Sequence, residues 1–272
     1  MKRIFIVGFA RSGTSLLNSI VAAYPGVCGF TESSYYFHKY VNPLEWLPIA
    51  PYFSDKFFLP RLFSTSKLEG SLDEFMCENL IEGKEENFIS ILDNKCSQMG
   101  CDTWVEKSTV HLRRIPVINK QTADAKFIHI IRRFPAVLRS WQFASGNLGL
   151  DFFDAPEDKI LRYWKRDLAR TVHYAVADPK HHMVISYQAL CNNTENVINK
   201  INLFIEKEST IDNIMCKRSS TGVVLERELW KNNVRLDILQ ATGLDLHDNE
   251  SITELFYSNM VMSLINEEAS CL

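Results

Sequence analysis

The apolar run Arg3-Ile4-Phe5-Ile6-Val7 leads directly into Gly8-Phe9-Ala10-Arg11-Ser12-Gly13-Thr14-Ser15, and apolar residues continue at Leu16, Leu17, Ile20 and Val21. A buried strand, a glycine-flanked turn and a helix in that order leave few folds open to the start of a chain. The turn is also suited to an anion. Amides at a helix start converge on a phosphate, the helix dipole assists, and glycines let the backbone approach closely. Thr14 and Ser15 add hydroxyl donors.

The stretch matches the phosphate-loop spacing G-x-x-x-x-G-K-S/T at Gly8, Gly13 and Ser15, but Thr14 stands in the lysine position and Arg11 lies inside the loop. An exposed helix dipole contributes only ~0.3–1 kcal/mol, so a side-chain cation has to carry much of the recognition. Here that cation is Arg11. A metal-dependent nucleotide hydrolase also needs an apolar strand ending in Asp to hold Mg²⁺. The run Lys126-Phe127-Ile128-His129-Ile130-Ile131 ends in Arg132-Arg133 instead. No metal-ligand constellation is expected.

Similar apolar runs at 3–8, 102–106, 126–131 and 182–187 read as strands, rich in β-branched and aromatic residues. Helical spacing covers 13–24, 71–82, 84–99, 156–177, 188–206, 223–240 and 250–266. Within 156–177, Ile160, Leu161, Trp164, Leu168, Val172 and Ala175 form one apolar stripe. Strands alternating with helices predict an α/β fold: a central, mainly parallel sheet with helices on both faces, in a single domain over 1–272. Residues 35–63 depart from the pattern, being dense in aromatics and carrying Pro43, Pro48, Pro51 and Pro60. That segment reads either as a loop-rich excursion packed on the core or as a lid over an acceptor pocket.

A net charge of −3 gives no global field to attract nucleic acid or anionic lipid, so an anionic ligand must be held by local charges and amides. Cysteines at 28, 77, 96, 101, 191, 216 and 271 are odd in number and lack a C-x-x-C pair, which suits reduced thiols in the cytoplasm. No apolar run approaches the length of a membrane span. Arg11 interrupts the apolar stretch that follows Met1-Lys2-Arg3, and no small-residue cleavage site comes after it, so a secretory leader is not expected.

Four segments in order carry a family resemblance. GFARSGTSLL (8–17), WVEKSTVHLRRIP (104–116), AKFIHIIRRFPAVLRSWQ (125–142) and VISYQAL (184–190) resemble motifs of sulfotransferases that use 3′-phosphoadenosine 5′-phosphosulfate (PAPS). The match is to the broad branch with an R-S-G-T-T/S phosphosulfate loop, related to the tyrosylprotein sulfotransferases. The resemblance implies a P-loop-like fold. It implies metal-independent, in-line transfer of a sulfuryl group to a hydroxyl acceptor, or to an amine, with adenosine 3′,5′-bisphosphate as the product.

It further implies that Arg11 meets the 5′-phosphate and bridging oxygen, with the amides of Ser12, Gly13, Thr14 and Ser15 around it. Lys107 would be a second cation near the sulfate, and Arg132 with Ser140 would clamp the 3′-phosphate. The last pairing also makes physical sense. Pro135 is a natural first helical residue, and Ser140 leans back toward the strand end that delivers Arg132. Tyr187 would contact the adenine, or close its strand as a core residue. In YPGVCGFTESS, Glu32 falls where the tyrosylprotein branch has its base, with His38 and His111 as alternatives.

Three features depart from the family pattern. Arg133-Phe134 replaces the usual Asp before Pro135, YQAL lacks an acidic pair, and the late basic segment has only a weak counterpart in Lys217-Arg218-Ser219-Ser220. The aromatic excursion points to an apolar, aromatic or sugar acceptor. A small-molecule kinase with a degenerate loop and a non-catalytic nucleotide-binding module stand as alternatives.

Overall fold

Among the described residues, β1 (Lys2–Gly8) is the central strand of a five-stranded, all-parallel sheet ordered β2-β3-β1-β4-β5. The computed structural model describes residues 1–30, 32, 33, 35, 36, 88–148 and 155–218. Its elements in chain order are β1, α1 (Thr14–Val21), β2 (Val27–Phe30), α2 (Phe88–Gln98), β3 (Thr103–Lys107) and a 3₁₀ turn (Thr109–Arg114). There follow α3 (Ile115–Gln121), β4 (Lys126–Ile131), α4 (Phe134–Leu148), α5 (Glu157–Ala177), β5 (His182–Ser186), α6 (Tyr187–Asn192), α7 (Thr194–Ile205) and α8 (Ile211–Arg218).

A strand paired on both edges and covered on both faces has no solvent side, which explains the unbroken apolar run of β1. Its side chains divide by parity. Ile4 and Ile6 join Val105, Ile128 and Ile130 in a layer closed by Leu17 and Ile20 of α1, Leu190 of α6 and Ile198 and Ile201 of α7. Phe5 and Val7 face the opposite layer with Trp104 and Phe127, closed by Phe88 and Leu92 of α2, Leu112 of the 3₁₀ turn and Ile115 of α3. Phe5 sits between Trp104, edge-on at 5.1 Å, and Phe127, stacked at 5.4 Å. Each such fully buried side chain is worth roughly 1.5–3 kcal/mol. A third cluster joins Phe9 to Val137 and Trp141 of α4 and Ile160, Trp164 and Leu168 of α5.

The expected α/β architecture is the observed one, with local differences. The single helix expected over 188–206 is two, α6 and α7, broken at Asn193 (φ −140°, ψ 55°), where the Thr194 hydroxyl donates to the Leu190 carbonyl at 2.8 Å. Tyr187 opens α6 instead of closing β5, because the Ser186 side chain caps the helix by accepting the Ala189 N–H. β2 and the turn-helix segment from Thr109 to Gln121 were not among the expected elements. The segments 71–82, 223–240 and 250–266, and 37–63 of the aromatic excursion, lie outside the described residues. Tyr35 and Tyr36 are buried, with Tyr35 stacked on Phe88 at 4.5 Å. No helix among the described residues is long and apolar enough to cross a membrane.

Candidate functional site

Parallel strands bring all five C-terminal ends to one edge of the sheet, where open α/β folds bind ligands. In sheet order, Glu32 follows β2, Lys107 ends β3, the turn from Phe9 to Gly13 follows β1, Arg132 follows β4 and Tyr187 follows β5. Neighbouring strands lie ~5 Å apart, so these groups span ~20 Å with the loop at the centre.

Close packing explains the loop's glycines. A Cβ on Gly8 would stand 2.5 Å from the Ile130 carbonyl oxygen, and one on Gly13 (φ 98°) would stand 2.3 Å from the Tyr187 ring. Arg11 adopts φ 69°, a left-handed conformation costly for a side-chain-bearing residue. Two bonds hold it there. Its Nε donates to Ser140 Oγ at 3.1 Å, and its carbonyl oxygen accepts from Arg132 Nη1 at 3.0 Å. Ser140 therefore meets Arg11, not Arg132, and the two arginines are joined through the loop backbone.

The amide of Ser12 is engaged within the turn itself. It donates to the Phe9 carbonyl at 3.2 Å, because the turn uses it to close, and Ser12 itself is buried. The first bond of the α1 ladder runs from Leu17 N–H to the Gly13 carbonyl. The amides of Gly13, Thr14 and Ser15 precede it at the positive end of the helix.

On the β4–β5 flank, the Arg132 guanidinium carbon lies 4.2 Å from the centre of the Tyr187 ring. Trp164 Nε1 donates to the Arg132 carbonyl at 3.1 Å and fixes the strand exit. Arg132 Nε is buried without a hydrogen-bond partner, and among the described residues the side chain pairs with no carboxylate. Burial lowers the pKa of this guanidinium below the ordinary arginine value. A desolvated cation with no acid beside it is costly unless an anion is meant to arrive. Burial also pushes the Tyr187 phenol up to about 12, so it offers a neutral ring face.

On the β2–β3 flank, Lys107 is buried and forms an ion pair with Glu32. The Thr109 hydroxyl donates to the second oxygen of Glu32 at 3.3 Å. Glu32 keeps 26% of its side chain exposed against 5% for Lys107, so the carboxylate is the end that faces outward.

Behind this pair lies Glu106, fully buried. Its Oε1 accepts from the Ser33 amide at 3.1 Å, the Ser33 hydroxyl at 2.8 Å and the Ser108 hydroxyl at 2.5 Å. Its Oε2 faces His111 Nδ1 at 3.1 Å in an oblique contact. Burial alone would raise this carboxyl's pKa, but His111 and the Ser108 and Ser33 donors outweigh it and hold the group below the ordinary carboxylate value. The Tyr36 amide donates to His111 Nε2 at 3.3 Å, so that nitrogen accepts and the ring proton sits on Nδ1, toward Glu106.

Sequence reasoning passed over Glu106, Ser33 and Ser108. The available signal was an adjacent Glu-Lys pair closing a strand that is otherwise apolar, and such a pair reads as surface charge until both faces of the strand are known to be covered. His38 lies outside the described residues. Lys217 and Arg218 end α8, which packs into the α1-side core through Ile214; Ser219 and Ser220 lie outside the described residues. Among the described residues, no group of three or more His, Cys, Asp or Glu side chains is placed to hold a metal ion.

The fold resembles the sulfotransferase domain of the olefin synthase from Synechococcus PCC 7002, with a TM-score of 0.61 at 14% identity, covering 97% of this chain and 94% of that one. It also resembles the sulfotransferase domain from the curacin biosynthetic pathway, with a TM-score of 0.60 at 12% identity, covering 98% and 97%. No curated protein sequence matches the chain. The family profile of the sulfotransferases matches residues 3–210, a span that takes in the sheet from Arg3 of β1 onward and the groups at the strand ends. The chain belongs to the sulfotransferase family.

Proposed function

We propose that the protein transfers a sulfuryl group from PAPS to a hydroxyl of its acceptor. One observation carries this reading: two polar flanks lie on either side of a single loop. One is Arg132, desolvated over Tyr187 and without an acid partner among the described residues; the other is the Lys107–Glu32 ion pair. PAPS has two anionic ends joined by adenosine, and the residues at the site fit them. Arg132 takes the 3′-phosphate, the Tyr187 side takes the nucleoside, and Arg11 with the Gly13, Thr14 and Ser15 amides takes the 5′-phosphosulfate.

The donor supplies a sulfuryl group on a phosphate leaving group; the protein supplies position and charge. Glu32 accepts the proton of the acceptor hydroxyl as that oxygen bonds to sulfur. The bond from sulfur to the bridging oxygen breaks, and its electron pair leaves with adenosine 3′,5′-bisphosphate. Arg11 and Lys107 offset the charge that develops there. His111 is poorly suited to act as the base, because it is fully buried with one nitrogen on the Tyr36 amide and the other toward Glu106.

Thermal shift with adenosine 3′,5′-bisphosphate and with Mg-ATP tests the donor. The bisphosphate at about a hundred times its dissociation constant stabilises by ~2.7 kcal/mol. Stabilisation by Mg-ATP alone would return the site to the kinase reading. A screen of hydroxyl and amine compounds with labelled PAPS then reads transfer directly.

A further inference from the structure

We infer that Glu106 is a positioning residue for this reaction, a buried carboxylate that sets Glu32 against Lys107 by binding the residue that follows each of them. The inference rests on reading Glu32 as the base.

Ser33 follows Glu32 and Ser108 follows Lys107, and both hydroxyls converge on the same oxygen of Glu106. The Ser33 amide joins them there, so the backbone just past β2 is tied directly to the end of β3. Glu106 pairs in register with Phe5 on one side and Phe30 on the other, in the layer that also holds Trp104 and Phe127. An apolar side chain would fill that place without the cost of desolvating a charge. The carboxylate instead uses one oxygen to join the two segments and turns the other toward His111. His111 in turn receives the Tyr36 amide, which extends the tie to the start of the aromatic stretch. Glu32 itself is faced by Lys107 and Thr109. Neither of those contacts fixes the backbone that carries Glu32; the Glu106 bonds do.

The geometry also singles out a carboxylate over its amide. Three donors point at Oε1, and His111 Nδ1 lies obliquely beside Oε2 at 3.1 Å, so an oxygen suits both ends. Glutamine offers an acceptor at one end only: its NH₂ placed at the Oε1 position would oppose three donors, and placed at the other it would remove the negative charge beside His111.

The test uses the full chain in two variants, Glu106→Gln and the gentler Ser108→Ala, which removes one hydroxyl and leaves both Ser33 bonds. The readouts are binding of adenosine 3′,5′-bisphosphate, an NMR titration of ¹³C-labelled glutamate with the Glu32 signal assigned through Glu32→Gln, and turnover of labelled PAPS. The bisphosphate is expected to bind both variants nearly as tightly as the parent. The Glu32 carboxyl is expected to titrate at higher pH, because its lysine is no longer held against it. Turnover is expected to fall ~10²-fold in Glu106→Gln, and less in Ser108→Ala, with the donor KM unchanged. An unmoved Glu32 titration with parental turnover overturns the positioning role. Should Glu106→Gln fail to fold, Ser108→Ala and Ser33→Ala decide by the same two readouts. Full turnover in Glu32→Gln would instead remove the base assignment, leaving the titration shift to judge Glu106 alone.

Discussion

Arg132 lies over the ring of Tyr187, its guanidinium carbon 4.2 Å from the ring centre, while its Nη1 donates to the Arg11 carbonyl at 3.0 Å. A planar cation held between an aromatic face and a backbone oxygen has its remaining donors aimed by geometry that lysine cannot reproduce. Arg132→Ala is expected to weaken adenosine 3′,5′-bisphosphate by roughly 10–10²-fold, the range for a hydrogen bond to a charged group. AMP, which lacks the 3′-phosphate, should lose far less. Calorimetric titration with both nucleotides checks this, and equal losses would place Arg132 away from the 3′-phosphate. Arg132→Lys is expected to recover little.

Lys107 is buried and ion-paired with Glu32, whose carboxylate reaches outward. A base that acts on the acceptor, with no part in holding the donor, separates chemistry from binding. Glu32→Gln is expected to lower turnover by ~10²–10⁴-fold, the usual contribution of a positioned base. Adenosine 3′,5′-bisphosphate should bind as in the parent. Parallel loss of binding and turnover would instead make Glu32 a structural partner of Lys107.

The parts of this site that are legible in the sequence are those written in one short segment. The loop, the strand before it and the Arg132-to-Ser140 spacing all appear within single runs, because a strand buried on both faces and a helix start each leave a local signature. The contacts that organise the site do not. Arg11 meets Ser140 across 129 positions, and Glu106 meets Ser33 across 73. β2 is four residues long and includes Gly29, too little for a periodicity to show. Its absence from the expected strands hid the neighbour that buries Glu106. The Ser12 amide is a different case: the loop motif marks it as an anion donor, and only the turn geometry shows that Phe9 uses it.

Gly13 and Tyr187 form a coupled pair. A Cβ at position 13 would stand 2.3 Å and 2.6 Å from two ring carbons of Tyr187, and the backbone there is at φ 98°. Gly13→Ala therefore combines a clash, worth ~1–3 kcal/mol as overpacking, with a backbone penalty of ~1–2 kcal/mol. Tyr187→Ala removes the clash and leaves the backbone penalty. Urea unfolding of the two single variants and the double variant should show Gly13→Ala costing less once the ring is gone. Strictly additive costs would mean that the loop relaxes away from the ring by itself.

His129 and His182 bring a last test, of stability. Their rings meet at 2.9 Å between Nε2 and Nδ1, on the sheet face where Phe127 and Tyr174 both stack on His182. Burial is the main cause that lowers His129 to about 3 and His182 to about 4, with mutual repulsion adding to the shift of His129. Both are therefore neutral in the fold, while an unfolded chain protonates near 6.5. Below that pH the unfolded state binds more protons, so the stability these rings contribute is fully present above about 6.5 and declines as the pH falls toward 4. The slope approaches ~1.4 kcal/mol per pH unit for each ring. Carboxylates with lowered values, such as Asp178 and Asp124, begin to contribute only at more acid pH, so the interval from 6.5 to 5 isolates the histidines. Urea midpoints should fall across that interval in the parent and flatten in a variant carrying His129→Leu and His182→Phe. A flat parent profile would show that the buried rings are not what couples this fold to pH.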